Sequence, residues 1–203
     1  MFKMNMSCKN FIVLLLCILI SSCANTKITE SWVEPGLSQS YKRPLIIGIS
    51  DSQQTRRTFE NYLVAELKKK NITATASYIL ISSKQKLNRE TVISAIQGTD
   101  IDSALVTYLV AADSETKLRD SPLTGSYSGD SENNMMSSTL ITSPGRYSES
   151  DVIVLKNDFY DTKSQSIVFS VQTRTVAAES IDEIIKAVTG LLVTSLFDEG
   201  IFK

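Results

Sequence analysis

Short apolar runs alternate with helical patterns through the middle of this sequence, and the alternation restricts the possible folds more than any other feature. Three runs rich in β-branched residues predict buried strands, at 45–50, 73–81 and 103–111. A four-residue spacing of Phe59, Leu63 and Leu67 predicts a helix between the first two runs. A shorter helix over 90–97, closed by Gly98, separates the second run from the third. Strands connected through helices in this way pair in parallel, with right-handed crossovers.

The last quarter of the chain has a different pattern. Apolar and polar residues alternate over 152–160 and again over 167–176, with a turn at 161–164, which predicts a β-hairpin. A final helix is predicted by apolar residues with a 3.6-residue period, namely Ile181, Ile184, Ile185, Val188, Leu191, Leu192 and Leu196. The predicted fold is therefore a single α/β domain over 44–203. Its mixed sheet follows the order β-α-β-α-β-(long insertion)-β-β-α, with the helices packed on the sheet.

The long insertion is the segment 113–150, which contains ten serines and keeps no sustained period of 2 or 3.6. Loops of this length in a compact domain are usually functional or disordered. We expect either a flexible segment, with at most a weakly paired hairpin, or an arm that binds a partner. In the second case Met135, Met136 and Leu140 would be its adaptable contacts.

The amino terminus has the organisation of a secretory signal. Lys3 and Lys9 precede ten apolar residues, Phe11 to Ile20, and no acidic residue lies among them. A helix needs about 20 apolar residues to span a bilayer, so this run is too short for a transmembrane anchor. We expect residues 1–22 to be a leader that is removed.

The end of this leader is similar to a bacterial lipobox. Ile20, Ser21 and Ser22 place a branched aliphatic residue and two small residues directly before Cys23. The resemblance implies cleavage before Cys23, a diacylglyceryl group on its sulfur and an acyl chain on the new amino terminus. Ala24 stands where aspartate commonly means retention at the inner membrane, which favours the outer membrane. The alternative is an ordinary signal cut elsewhere, with Cys23 left as a free thiol.

The remaining mature chain would hold a single cysteine, because Cys8 and Cys17 lie within the leader. No intramolecular disulfide is then possible. Without Lys3 and Lys9, 19 basic residues stand against 22 acidic ones, and this mild acidity argues against nucleic acid as a partner. Residues 23–43 are predicted to be a lipidated tether. Its Trp32 would either fold back onto the domain or contact the membrane interface or a partner.

Catalytic chemistry is restricted by the absence of histidine from the whole chain. Nucleophile systems built on histidine and zinc sites that use histidine are thereby excluded. We expect no enzyme, no cofactor and no metal site. A hydrolase would become plausible only if Asp51, Asp102 and Asp113 met around a metal ion.

Asp51, Arg56 and Arg57 form the candidate binding site for an anion or a partner's carboxylate. Asp51 follows the first predicted strand, where open α/β sheets bind ligands, and the two arginines fall in the first turn of the next helix. The alternative is local. Asp51 or Ser52 would cap the helix, and one arginine would pair with Glu60.

Several segments resemble a family of bacterial outer-membrane lipoproteins that carry a domain of unknown function. They are Ser31-Trp32, Gly48-Ile49-Ser50-Asp51, residues 56–60 and residues 101–107. The family is similar in fold to amino-terminal periplasmic modules of the Tol system, and its tyrosine- and glycine-rich insertion is here mostly serine. The resemblance implies a membrane-anchored, non-catalytic interaction module with an envelope protein as partner. A small-anion-binding lipoprotein is the alternative.

Overall fold

The computed structural model describes residues 25–113, 152–176 and 180–203, and these form one α/β domain. Their strands are β1 (Asn25–Val33), β2 (Pro44–Gly48), β3 (Thr75–Ala76), β4 (Ser103–Asp113), β5 (Val152–Asp161) and β6 (Ile167–Val176). Their helices are α1 (Gln53–Lys69), α2 (Ser77–Leu80), α3 (Arg89–Ile96) and α4 (Ile181–Asp198). The strands join in one mixed sheet in the order β1-β6-β5-β4-β2-β3.

The sheet has a parallel side and an antiparallel side. β2 lies between β3 and β4 and is parallel to both, as the alternation of strands and helices predicted. From β4 onward the neighbours β5, β6 and β1 are antiparallel. The predicted hairpin is therefore confirmed, and it connects the parallel unit to the edge strand β1.

Alternate residues of the strands face opposite sides of the sheet, and both sides carry hydrophobic clusters. Ile46, Leu105 and Phe159 point to the side that carries α1 and α4, where the largest cluster forms around Leu63 and Leu192. On the opposite side α3 packs on the parallel part of the sheet through the 4% exposed Val92, against residues that include Leu45, Ile47, Ala104 and Val106. The strand pattern of period 2 thus decides which side each residue faces.

One predicted element is largely wrong. The run 73–81 is not a full strand, because only Thr75 and Ala76 pair with β2 before the chain turns into the short helix α2. The carboxylate of Glu60 accepts a hydrogen bond from the Tyr78 amide at 3.0 Å, and this contact favours a turn over an extended chain. A long-range contact has overridden local β propensity.

The described part of the predicted tether also differs from expectation. Residues 25–33 are strand β1, bonded along β6, so they belong to the sheet and extend the predicted element order at its start. The insertion predicted at 113–150 lies outside the described residues except for Asp113, which ends β4. Among the helices of the described residues, none has the length and apolar character that a membrane span requires.

Candidate functional site

The corner between β2 and α1 holds the three predicted binding residues. Ser52 caps α1, since its hydroxyl accepts a hydrogen bond from the Thr55 amide at 3.2 Å. Asp51 precedes the cap and is exposed to solvent. Of the two residues considered for capping, Ser52 is the one that performs it.

Arg56 points into the protein. It is 3% exposed and donates from Nε to Oε1 of Glu60, which is fully buried, at 2.9 Å. Its guanidinium also donates to the Ser77 hydroxyl at 2.6 Å, and that hydroxyl donates to Glu60 Oε1 at 2.6 Å. The Gly48 amide adds a third contact to the same carboxylate oxygen, at 3.1 Å. A buried charge is tolerated only when it is paired and hydrogen-bonded, and Arg56 and Glu60 are paired here and hydrogen-bonded to Ser77 and Gly48.

Arg57 is the next residue of α1, about 100° further around the helix, and it is exposed. Its guanidinium carbon is 5.3 Å from the centre of the Tyr78 ring, within the range of a cation–π contact. The Tyr78 hydroxyl in turn donates to Oδ1 of Asn61 at 2.7 Å. The two arginines therefore do not converge on one ligand, because Arg56 is committed to Glu60. Anion binding at this corner remains a prediction, with Arg57 as its surface cation.

A second polar cluster lies on the sheet surface that faces away from α1 and α4. Asp158 is 2% exposed; it accepts from the Tyr108 hydroxyl at 2.8 Å and from the Ser170 hydroxyl at 2.6 Å. The ammonium group of Lys156 is 3.9 Å from the same carboxylate. Sequence reasoning missed this cluster. Its signal was a pair of charged residues two positions apart in a strand, Lys156 and Asp158, which usually indicates only a solvated face.

Trp32 lies beside this cluster. Its register partner on β6 is Ser170, whose partner on β5 is Asp158, so the three share one side of the sheet. The indole is 47% exposed, which is unusual for so large an apolar side chain. Trp32 is therefore neither a core residue nor part of a free tether, since it is half exposed on strand β1.

We call this surface the open face and define it by Trp32, Lys156, Ser170, Gln172 and Arg174. Register and strand alternation place all five on the same side of the sheet. None of them belongs to a hydrophobic cluster of the described residues. The surface combines one exposed aromatic residue with polar side chains, a composition found at protein interfaces.

Tyr160 is placed next to the open face by its position two residues after Asp158. Burial raises the pKa of its hydroxyl to about 12, with a further increase from the Asp158 charge and an opposing effect of Arg89. Tyr160 is thus a neutral aromatic residue at physiological pH. It offers no base for proton transfer there.

A third polar cluster surrounds Asp161, the last residue of β5. Burial alone would raise the pKa of this carboxyl, but hydrogen bonds from the Ser164 and Lys163 amides and from Tyr41 and Gln39 lower it below its ordinary value. The Tyr41 hydroxyl and the Gln39 amide both donate to Oδ2 at 3.0 Å. The cluster attaches the segment after β1 to the β5–β6 turn, so its role is structural.

The described residues contain little that points to metal or small-molecule chemistry. They hold no group of three histidine, cysteine, aspartate or glutamate side chains placed to bind a metal ion. A cavity of about 30 Å³ lies between α1, α4 and the sheet. Its wall is almost entirely apolar and is lined by residues that include Phe59, Ile153, Leu155 and Ile184. A space of this volume holds about one water molecule, far below the 300–1,000 Å³ of a typical ligand pocket.

Comparison with known proteins gives similarity at the level of solved structures only. No family model matches the sequence, and no curated protein matches it. The chain is similar to the PelC dodecamer from Paraburkholderia phytofirmans, with 9% identity, 83% of this chain and 95% of that chain covered, and a TM-score of 0.45. It is also similar to lipoprotein GNA1162 from Neisseria meningitidis, with 9% identity, coverage of 78% and 96%, and a TM-score of 0.40.

A third similar structure is a PDZ domain protein from Parabacteroides distasonis, with 12% identity and a TM-score of 0.40. The alignment covers 93% of this chain and 40% of that chain. Likeness at this level of identity does not transfer an activity from any of the three proteins.

Proposed function

We propose that this protein is a lipoprotein anchored in the bacterial envelope through Cys23, at the periplasmic face of the outer membrane, where it acts as a non-catalytic interaction module. The observation that carries the proposal is the lipobox-like sequence Ile20 to Cys23, which only Ala24 separates from the first strand of the domain. The mature chain would thus begin where the folded domain begins.

The anchor needs no additional membrane-active segment. Each methylene group buried in a bilayer contributes about 0.8 kcal/mol, so two or three acyl chains hold a protein at a membrane essentially permanently. Acylation would also remove the only thiol of the mature chain, which would otherwise be reactive in an exported protein.

Substitution at Cys23 tests the anchor. Cys23→Ser should abolish palmitate labelling and move the protein out of the membrane fraction. Cys17→Ser is the matched control. Because Cys17 lies inside the leader, this substitution should leave palmitate labelling and membrane fractionation unchanged. Retained labelling or unchanged fractionation of Cys23→Ser would contradict the proposal.

The open face supports the interaction part of the proposal. Trp32 is half exposed there, and tryptophan is enriched among the residues that dominate interface energies. The surrounding residues offer both donors and acceptors, while the cavity between α1, α4 and the sheet, about 30 Å³ in volume, is too small for a ligand. A partner protein fits these properties better than a small molecule does.

Site-specific photocrosslinking in intact cells tests this surface. A photoreactive residue at position 32 or 172 should give a discrete adduct with an envelope protein. The same residue at position 68, on the exposed end of α1, should give none. Equal adducts from position 68, or no adduct from the open face, would count against an interface there.

A further inference from the structure

Four strand ends lie in one row at a single end of the sheet. Asn25 of β1 is the register partner of Val176 on β6, Val176 pairs with Val152 on β5, and Val152 pairs with Asp113 on β4. We call this row the anchor end. β1 runs away from it, so every later residue of β1 lies further along the sheet.

Cys23 precedes Asn25 by two residues. Two residues of fully extended chain span at most about 7 Å, which leaves no length for a flexible spacer. If acyl chains are attached at Cys23, the anchor end must therefore lie close to the lipid surface. A mobile tether would instead have allowed any side of the domain to face the membrane.

Two basic side chains lie next to the anchor end. Lys27 and Arg174 are directly opposite each other on β1 and β6. Like charges in this position destabilise an antiparallel pair unless an anion compensates them. Among the described residues, no carboxylate lies within 4.0 Å of either cation. Phosphate groups of lipid heads would supply the missing negative charge.

We infer that the anchor end is a membrane-contact surface, which binds the lipid headgroup layer while the strands point away from the bilayer. The inference rests on the proposed function, because it needs the lipid at Cys23. Trp32 lies seven residues beyond Asn25, or roughly 20 Å at the usual rise of a strand. The part of the open face that includes Trp32 and Ser170 is thus held above the membrane and accessible to a protein partner, while its Arg174 lies next to the anchor end.

The single tryptophan of the chain makes this geometry measurable. The full-length lipidated protein would be purified in detergent and reconstituted into vesicles of phosphatidylethanolamine and phosphatidylglycerol with a nitroxide on the headgroup. Wild-type fluorescence reports on position 32. Two variants move the reporter: Trp32→Phe with Asn25→Trp places it at the anchor end, and Trp32→Phe with Lys163→Trp places it at the opposite end, in the exposed β5–β6 turn.

The expected order of quenching follows from the distances. Position 25 should be quenched at least about threefold more strongly than position 32, because roughly 20 Å of strand separates them, and position 163 should be quenched least. Quenching at position 32 equal to that at position 25 would overturn the inference, since the sheet would then lie flat on the membrane. Stronger quenching at position 163 would overturn it as well.

Failure of the proposed function would look different. If the protein showed no acyl chains by mass spectrometry and did not float with the vesicles, the proposed lipid anchor would be refuted. The proposed orientation would then be refuted with it. Acylated protein that floats but shows the wrong order of quenching would refute the orientation alone. Urea unfolding of each variant, compared with wild type, verifies that the moved tryptophan has left the fold intact.

Discussion

Arg56 and Glu60 lie one turn apart in α1 and share a hydrogen bond of 2.9 Å in a place where neither side chain is exposed by more than 4%. Exposed pairs at this spacing contribute only a few tenths of a kcal/mol. The buried pair differs because Ser77 and the amides of Gly48 and Tyr78 complete the contacts of the carboxylate. It therefore connects β2, α1 and α2.

Removing one partner of this pair should destabilise the fold strongly. We expect Glu60→Ala to lower the free energy of unfolding by about 3–5 kcal/mol, because the Arg56 charge would remain buried without a partner. Urea denaturation measures the loss. The matched control is Arg57→Ala at the exposed neighbouring position, where we expect a change within about 0.5 kcal/mol. Similar losses in the two variants would contradict the structural role of the pair.

The lowered pKa of Asp161 predicts a dependence of stability on acid pH. Because the folded pKa of Asp161 lies below the ordinary value of 3.8, the ionised carboxylate stabilises the folded state above that value. This contribution is lost as the pH falls below 3.8 toward the folded pKa. Urea midpoints at pH 6 and pH 3 should therefore differ less in Asp161→Asn than in wild type.

Tyr41→Phe provides the graded control for that experiment. It removes one of the hydrogen bonds that lower the pKa of Asp161 and leaves the amides of Lys163 and Ser164 in place. Its dependence on pH should lie between those of wild type and Asp161→Asn. An Asp161→Asn variant with the full wild-type dependence would refute the prediction.

Two glycines with different surroundings predict opposite effects of the same substitution. A Cβ at Gly48 would lie 3.0 Å from Cδ1 of Phe59, so Gly48→Ala should destabilise by about 1–3 kcal/mol through overpacking. A Cβ at Gly190, inside α4, would meet nothing within 4 Å. Gly190→Ala should therefore stabilise by up to about 1 kcal/mol, since alanine is the better helix former. Thermal unfolding of the two variants compares the signs directly.

The Asp158 cluster predicts a cost for removing its acceptor. Asp158→Ala would leave the hydroxyls of Tyr108 and Ser170 without the carboxylate to which both donate. Removing the acceptor of a buried hydrogen bond costs about 1–3 kcal/mol, so the urea midpoint should fall. Gln172→Ala, on the same side of the sheet, is the control and should have little effect. A fall in Gln172→Ala as large as that in Asp158→Ala would contradict the prediction.

The sequence predicted the elements whose residues carry a clear period. The β5–β6 hairpin and the helices α1 and α4 appear where alternation or helical spacing placed them, and β4 appears where a nearly continuous apolar run placed it. The Asn88 cap of α3, with its reciprocal bond to Thr91, and the positive φ of Gly98 are equally local. The strand predicted at 73–81 is not formed in full, because the Glu60 carboxylate of α1 accepts a hydrogen bond from the Tyr78 amide.

The sequence did not predict β1. Its residues Asn25 to Val33 lack a regular apolar alternation, and they form a strand because β6 presents an edge with unpaired backbone groups. The candidate site shows the same limit. Residue type and spacing brought Arg56 and Arg57 to attention together, but only packing decided that one is buried against Glu60 and the other contacts Tyr78.

By itself the sequence determined the features that depend on neighbouring residues: the leader-like amino terminus, the lone cysteine beyond it, the helix caps and the periods that sort residues into strand and helix. Only the tertiary structure decided which strand ends share a row with Asn25, which side of the sheet Trp32 occupies and which arginine is buried. The physical reason is the separation along the chain over which each interaction acts. Capping and periodicity act within a few residues, whereas pairing and burial join residues as distant as Asn25 and Val176, whose proximity no local pattern encodes.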